Sequence, residues 1–200
     1  MRYSMVIDLK RCIGCYACSV ACRAEKATNT GIMFARVQRL EWGTYPSVKR
    51  MALPLLCMHC KEPACLEVCP TGATQKRDDG IVWVDKDLCM GCRYCMLACP
   101  YAARMFYDKE ITYFDNGRTP YEEVGTPNHV EGTVEKCDFC MDRLAQDLEP
   151  ACVANCITKA RIFGDMEDPN SEVSKLIRDK GAAPLNPEFG TEPSVHYLPP

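Results

Sequence analysis

The chain has 200 residues, a formal net charge of −3 and 47% hydrophobic residues, with sixteen cysteines counted among them. The mild acidity leaves no electrostatic footprint for nucleic acid, and no run of about 18 apolar residues is present to span a membrane. With the cysteines set aside the apolar residues make a thin core for this length, so cohesion is expected from something the thiols bind.

In chain order, the start MRYSMVIDLKRC carries neither a hydrophobic signal segment nor twin arginines, so export would need another chain as carrier. MVID reads as a short strand leading into the first cysteine group, Cys12, Cys15, Cys18 and Cys22. The second group is Cys57, Cys60, Cys65 and Cys69, in CMHCKEPACLEVCP. Arg77-Asp78-Asp79-Gly80 reads as a turn before the strand IVWV. That strand leads into the third group, Cys89, Cys92, Cys95 and Cys99, in CMGCRYCMLACP. Each C-x-x-C-x-x-C run is expected to be loop. Short helices are expected around Cys22, Cys69 and Cys99, the last two stopped by Pro70 and Pro100. Residues 103–134 lack cysteine and read as a surface insertion suited to a partner contact. The fourth group is Cys137, Cys140, Cys152 and Cys156. Ser171 to Lys180 reads as a surface helix capped by Ser171 and stopped by Gly181. The rest of 165–200 reads as an extended tail, packed on the body or on a partner.

The chain repeats itself. Ile7-Asp8, Cys12, Gly14, Cys15, Cys18, Ala21 and Cys22 recur 77 residues later as Val84-Asp85, Cys89, Gly91, Cys92, Cys95, Ala98 and Cys99. The second and fourth groups share E-P-A-C-x-x-x-C-x-T-x-A, from Glu62 to Ala73 and from Glu149 to Ala160. The order A-B-A′-B′ implies an α+β fold of two lobes related by a pseudo-twofold axis.

Ligand spacing and the lack of a signal segment argue against a secreted disulfide scaffold. Structural zinc sites usually join two separated C-x-x-C pairs rather than one local run of four. The C-x2-C-x2-C-x3-C-P run is instead the signature of bacterial ferredoxins. One tight loop reaches three corners of an iron–sulfur cubane, and the fourth cysteine serves a neighbouring cluster. The repeat permits two pairings of the groups. Nineteen residues separate Cys69 from Cys89, against 34 and 37 in the links between groups one and two and between three and four. The short link resembles the one inside a two-cluster ferredoxin, so groups two and three pair, and one and four by elimination.

Gly14 and Gly91 allow close backbone approach to sulfur. Met58, Met90, Met96 and Met141 lie beside ligands as gap fillers. Arg11, Arg23, Lys61, Arg93, Arg143 and Lys159 lie near ligands, either offsetting cluster charge or simply solvated. His59, inside C-M-H-C, is placed to hydrogen-bond a cluster rather than to ligate it. No nucleotide-binding or hydrolytic motif is present, so the chemistry reads as electron transfer.

The four-group layout, with C-x2-C-x4-C-x3-C-P second and C-x2-C-x11-C-x3-C fourth, resembles the iron–sulfur electron-transfer subunits of the dimethyl sulfoxide reductase family of molybdopterin oxidoreductases. The tail GDMEDPNSEVSKL…LNPEFGTEPSVHYL resembles the polysulfide, thiosulfate and arsenate reductase branch. The resemblance implies four [4Fe–4S] clusters. Their ligand sets would be Cys12, Cys15, Cys18 and Cys156; Cys22, Cys137, Cys140 and Cys152; Cys57, Cys60, Cys65 and Cys99; and Cys69, Cys89, Cys92 and Cys95. Relatives of the nitrate reductase type carry Trp where this chain has Cys92, and hold a [3Fe–4S] cluster there. The fourth group ends Cys156-Ile157 where the family usually has Cys-Pro.

Ferredoxin-like lobes are expected over 1–48 plus 135–164 and over 49–102, with the insertion 103–134 and the C-terminal helix and tail 165–200 outside them. The implied role is a non-catalytic wire between a large molybdopterin (Mo or W) subunit and a quinone-reactive membrane subunit or another electron carrier. Such a complex works on the periplasmic side, carried by a partner's twin-arginine signal, or in the cytoplasm. The alternative is a free polyferredoxin, or an accessory iron–sulfur subunit of a hydrogenase or formate system.

Overall fold

The computed structural model describes residues 1–200, and its first strand, β1 (Tyr3–Asp8), fully buries Met5, Val6 and Ile7. The chain leaves the first cysteine loop through Tyr16, in the left-handed region at φ 63°, and enters α1 (Ala17–Lys26). A hairpin follows, β2 (Arg36–Trp42) against β3 (Lys49–Leu55). The one-turn α2 (Ala64–Glu67) leads to β4 (Thr74–Lys76), which turns into β5 (Val82–Val84). Gly80 closes that turn at φ 83°, its N–H donating to the Arg77 carbonyl at 3.0 Å. The third group exits through Arg93, at φ 64°, into α3 (Tyr94–Ala98).

Next come β6 (Arg104–Tyr107), α4 (Pro120–Gly125) and β7 (Thr133–Lys136), with β6 and β7 paired antiparallel. The fourth group carries α5 (Met141–Leu144) and α6 (Ala151–Ala154) and leads to β8 (Arg161–Asp165). The chain ends in α7 (Glu172–Lys180), β9 (Ala183–Pro184) and β10 (Val195–Leu198). The largest sheet has the order β8-β1-β10-β9, with β10 parallel to β1.

The repeat survives in the backbone. Arg161 pairs with Ile7 across β8 and β1, and Thr74 pairs with Val84 across β4 and β5, which are matching positions of the two repeats. The Asp8 N–H donates to the Ala160 carbonyl at 2.8 Å, and the Asp85 N–H to the Ala73 carbonyl at 2.7 Å. Thiols are part of the interior. Cys18, Cys22, Cys57, Cys60, Cys137 and Cys152 lie in one buried cluster with Met5, Ile7, Phe34, Met58 and Phe139.

Several elements differ from expectation. The cysteine runs are not loop throughout, because the left-handed residues Tyr16 and Arg93 start the helices early and put Cys18 and Cys95 in their first turns. Cys69 and Cys99 lie beyond their helices rather than inside them. Each precedes a proline, which disfavours helical geometry at the residue before it, and Cys99 is extended at φ −79°, ψ 111°. Cys22 has no proline after it, and α1 runs on to Lys26. Residues 103–134 begin and end in the β6–β7 pair, where Arg104 and Tyr107 are buried. Helix α7 forms as read: the Ser171 hydroxyl accepts the Ser174 N–H at 3.0 Å, and Gly181 stops it at φ 69°.

The tail gives two strands to the main sheet, and its lead-in straps the second cysteine loop. There the Lys61 and Glu62 N–H groups donate to the Glu192 and Thr191 carbonyls at 2.9 and 3.1 Å, and the Ser194 N–H to the Met58 carbonyl at 2.8 Å.

Candidate metal centres

All sixteen cysteines are free thiols, and only Cys15 is exposed. No three Cys, His, Asp or Glu side chains converge as a single ion would need. Burial pushes the Cys22, Cys60 and Cys140 thiols up to about 12 and holds Cys137 well above the ordinary thiol range. Such groups become thiolates only when a strong cationic partner binds them. Cys69 and Cys156 behave differently. Burial opposes their ionisation too, but the Thr74 N–H reaches Cys69 Sγ at 3.4 Å and the Ala160 N–H reaches Cys156 Sγ at 3.2 Å. Both are held below the usual thiol range. They are equivalent positions of the repeat, each with a threonine hydroxyl two residues on, Thr71 and Thr158.

The thiols that feel one another's charge fall into sets. Cys12 is coupled to Cys18 and Cys156. Cys137 is coupled to Cys22, Cys140 and Cys152. Cys60 is coupled to Cys57, Cys65 and Cys99, and Cys95 to Cys69 and Cys89. One coupling joins two sets, that of Cys152 with Cys18.

The loops leave no room for a side chain at their glycines. Gly14 stands at φ +66°, and a Cβ there would lie 2.9 Å from the Cβ of Ala52. Gly91 stands at φ +72°, and a Cβ there would overlap the Gly132 carbonyl. The residue that ends the cysteine loop takes part in an aromatic–guanidinium stack in both repeats, with the roles exchanged. Arg39 lies over Tyr16 at 5.1 Å, and Arg93 lies over Phe106 at 3.6 Å.

The cations near ligands divide by depth. Arg11 reaches the Thr158 carbonyl, Lys61 pairs with Glu192 and Arg143 with Glu25, all at the surface or partly exposed. The buried cations are others, which the sequence reading missed: Arg104, Lys136 and Arg161. Arg104 Nη2 donates to Cys65 Sγ at 2.9 Å, and Arg161 Nη1 donates to Cys152 Sγ at 3.6 Å. The tetrapeptides ARMF and ARIF, following groups three and four, are the signal that could have marked both arginines.

His59 is fully enclosed, at φ 43°, with its ring stacked 3.7 Å from that of Phe139. Its Nδ1 accepts the Val82 N–H at 3.1 Å, so the ring proton sits on Nε2, which has no protein partner. Burial, with Lys136 and Arg104 nearby, pushes this imidazole well below its ordinary range and keeps it neutral. Met58 fills the interior beside it, whereas Met90 is 66% exposed and fills no gap.

Buried thiols in sets, glycine-only loop corners and unpartnered donors at His59 Nε2 and Arg161 Nη2 fit sulfur-rich, anionic clusters. Comparison with known proteins agrees. The model of a 4Fe-4S dicluster domain matches residues 48–116 and again 114–166. A selenate reductase subunit of Mesobacillus selenatarsenatis is 41% identical over 99% of this chain and 72% of its own length. A sulfite dehydrogenase subunit of Allochromatium vinosum is 40% identical over 98% of this chain and 82% of its own. The arsenate respiratory reductase iron–sulfur subunit of a Shewanella species is 39% identical over 99% and 96%. The chain belongs to the iron–sulfur electron-transfer subunits of the dimethyl sulfoxide reductase family of molybdopterin oxidoreductases.

Proposed function

We propose that the chain holds four [4Fe–4S] clusters in two pseudo-twofold-related ferredoxin-like lobes. The sets are Cys12, Cys15, Cys18 and Cys156; Cys22, Cys137, Cys140 and Cys152; Cys57, Cys60, Cys65 and Cys99; and Cys69, Cys89, Cys92 and Cys95. The observation that carries this reading is that the thiols influencing one another's charge lie within one set, the contact of Cys152 with Cys18 between neighbouring sets excepted. The first dicluster match, over 48–116, supports the pairing of groups two and three. When bound, each cluster supplies one-electron transfer. The chain's own part is to supply thiolates, exclude water from the buried sets, and offset negative charge with Arg104, Lys136 and Arg161.

On this reading the chain is a wire without catalysis of its own. A large molybdopterin subunit carries the substrate chemistry. A quinone-reactive membrane subunit, or another electron carrier, meets the far end. Two exposed apolar faces support contacts at both ends. Ile13 and Ile157 flank the first set, while Met90, Tyr94 and Leu97 flank the fourth. No helix of the chain is long and apolar enough to cross a membrane, so a membrane link would run through a partner.

The test is anoxic affinity purification from the native cell, with identification of co-purifying chains and analysis for iron, molybdenum and tungsten. A large partner with stoichiometric molybdenum or tungsten is expected. A monomer rich in iron with neither metal would replace this reading with a free polyferredoxin.

A further inference from the structure

Arg104 and Arg161 are only 4% and 3% exposed, and neither has a carboxylate partner. Taking an unpaired guanidinium out of water is strongly unfavourable unless an anion compensates it. The anions on offer are thiolates. Arg104 donates to Cys65 at 2.9 Å and is coupled to Cys95, while Arg161 donates to Cys152 at 3.6 Å and is coupled to Cys18. Given the ligand sets proposed above, each arginine therefore hydrogen-bonds a ligand of one cluster and lies within electrostatic reach of a ligand of the neighbouring one. Arg161 Nη2 has no protein partner at all.

The two lobes reach this arrangement by different routes. Arg161 opens β8, and the matching residue of the other lobe is Thr74, which opens β4. Thr74 is not a cation, yet its hydroxyl accepts Arg104 Nη1 at 3.1 Å, so a guanidinium from β6 stands beside the position that Arg161 holds. Conversely Arg36, which opens β2 as Arg104 opens β6, turns away and donates to the Tyr101 and Ala102 carbonyls, both at 2.8 Å. Each lobe thus keeps one guanidinium between its sets, from a strand the repeat does not match. Inheritance of one ancestral residue does not give this pattern; a shared electrostatic requirement does.

We infer that Arg104 and Arg161 are potential-setting residues, each holding a permanent positive charge between the two clusters of one pair and favouring the reduced state of both. Reduction adds a negative charge to a cluster, and a fixed cation at hydrogen-bond range in a poorly screened interior offsets it.

The experiment is an anoxic, EPR-monitored redox titration of the intact complex, wild type against Arg161→Gln, Arg161→Lys, Arg104→Gln and Arg104→Lys, with iron content measured for each. Four [4Fe–4S] signals in the wild type test the ligand reading separately from this inference. Arg161→Gln is expected to lower the reduced-to-oxidised ratio of two clusters at least tenfold at fixed potential, a shift of about 59 mV for one electron. The other two should stay in place. Arg104→Gln is expected to move the complementary two, and lysine at either position to restore most of the shift. Unmoved potentials, a shift in one cluster alone, an equal shift in all four, or lysine behaving as glutamine would overturn the inference. If the glutamine variants do not assemble, the lysine variants decide. Assembly with near-native potentials supports a role for the charge. Failure of the lysine variants too overturns it, because the site then needs the planar shape rather than the charge.

Discussion

Gly14→Ala is a direct probe of how tightly the first cysteine loop is built. Two costs enter. At φ +66° an alanine adopts the left-handed region, which costs about 1–2 kcal/mol relative to ordinary backbone. The new Cβ would also stand 2.9 Å from the Cβ of Ala52, where ordinary contact begins at 3.4 Å, so one side must yield by about half an ångström. Ala52 belongs to β3, pinned in register against Arg39 of β2, and a methyl group forced into such a place costs about 1–3 kcal/mol. The sum is about 2–5 kcal/mol. Gly72→Ala is the control, since Gly72 has φ +69° but nothing within 4 Å of its Cβ position, leaving only the backbone cost.

The assay is the guanidinium chloride concentration at which visible absorbance is half bleached, anoxically, for each variant. The expected order is wild type, then Gly72→Ala, then Gly14→Ala. Adding Ala52→Gly to Gly14→Ala should recover about 1 kcal/mol or more, although glycine in a strand by itself costs about 0.5–1 kcal/mol. Equal midpoints for the two alanine variants, or a double variant worse than the sum of its parts, would show that the loop does not press on the hairpin.

Replacing Cys92 by serine is expected to remove one cluster's iron and leave three EPR-visible clusters; loss of all four would contradict independent ligand sets. Removing the clusters with a chelator and reductant should unfold the chain, because thiols make up part of its core, and a compact apo-protein in small-angle scattering would refute this. Ser194→Ala should destabilise the second cysteine loop by about 1–3 kcal/mol. The fully buried Ser194 hydroxyl donates to the His59 carbonyl at 2.7 Å and accepts from Arg2 Nε at 3.1 Å. Hydrogen exchange of residues 57–62 reads that loss, and unchanged exchange would mean that the tail merely rests on the loop.

The cysteine groups were legible in the sequence because coordination chemistry dictates their spacing, and two copies of each pattern leave no thiol over. The strands around Ile7 and Val84 were legible for the same reason, since each leads into a run that fixes its register. Arg104 and Arg161 were not. A charged residue at the start of a short strand ordinarily faces water, and only the packing of Cys65 and Thr74 against Arg104, and of Met5 and Cys152 against Arg161, shows otherwise. The strand within the tail was illegible for a related reason. VHYL is four residues long and follows a Pro- and Gly-rich stretch, so by local propensity it reads as loop. It becomes a strand because β1 offers an open edge: β8 covers one side, and the other, left bare, would keep Met5 and Ile7 beside unpaired backbone. Strand β10 fills that edge with Val195 and Tyr197 buried, and the Tyr197 hydroxyl donates to the Pro54 carbonyl at 2.8 Å. Residues 191–194 then fall against the second cysteine loop. The last segment of the chain thus closes the sheet that leads into the first cysteine group while clamping the loop of the second, which makes it a joint between the two rather than an appendage.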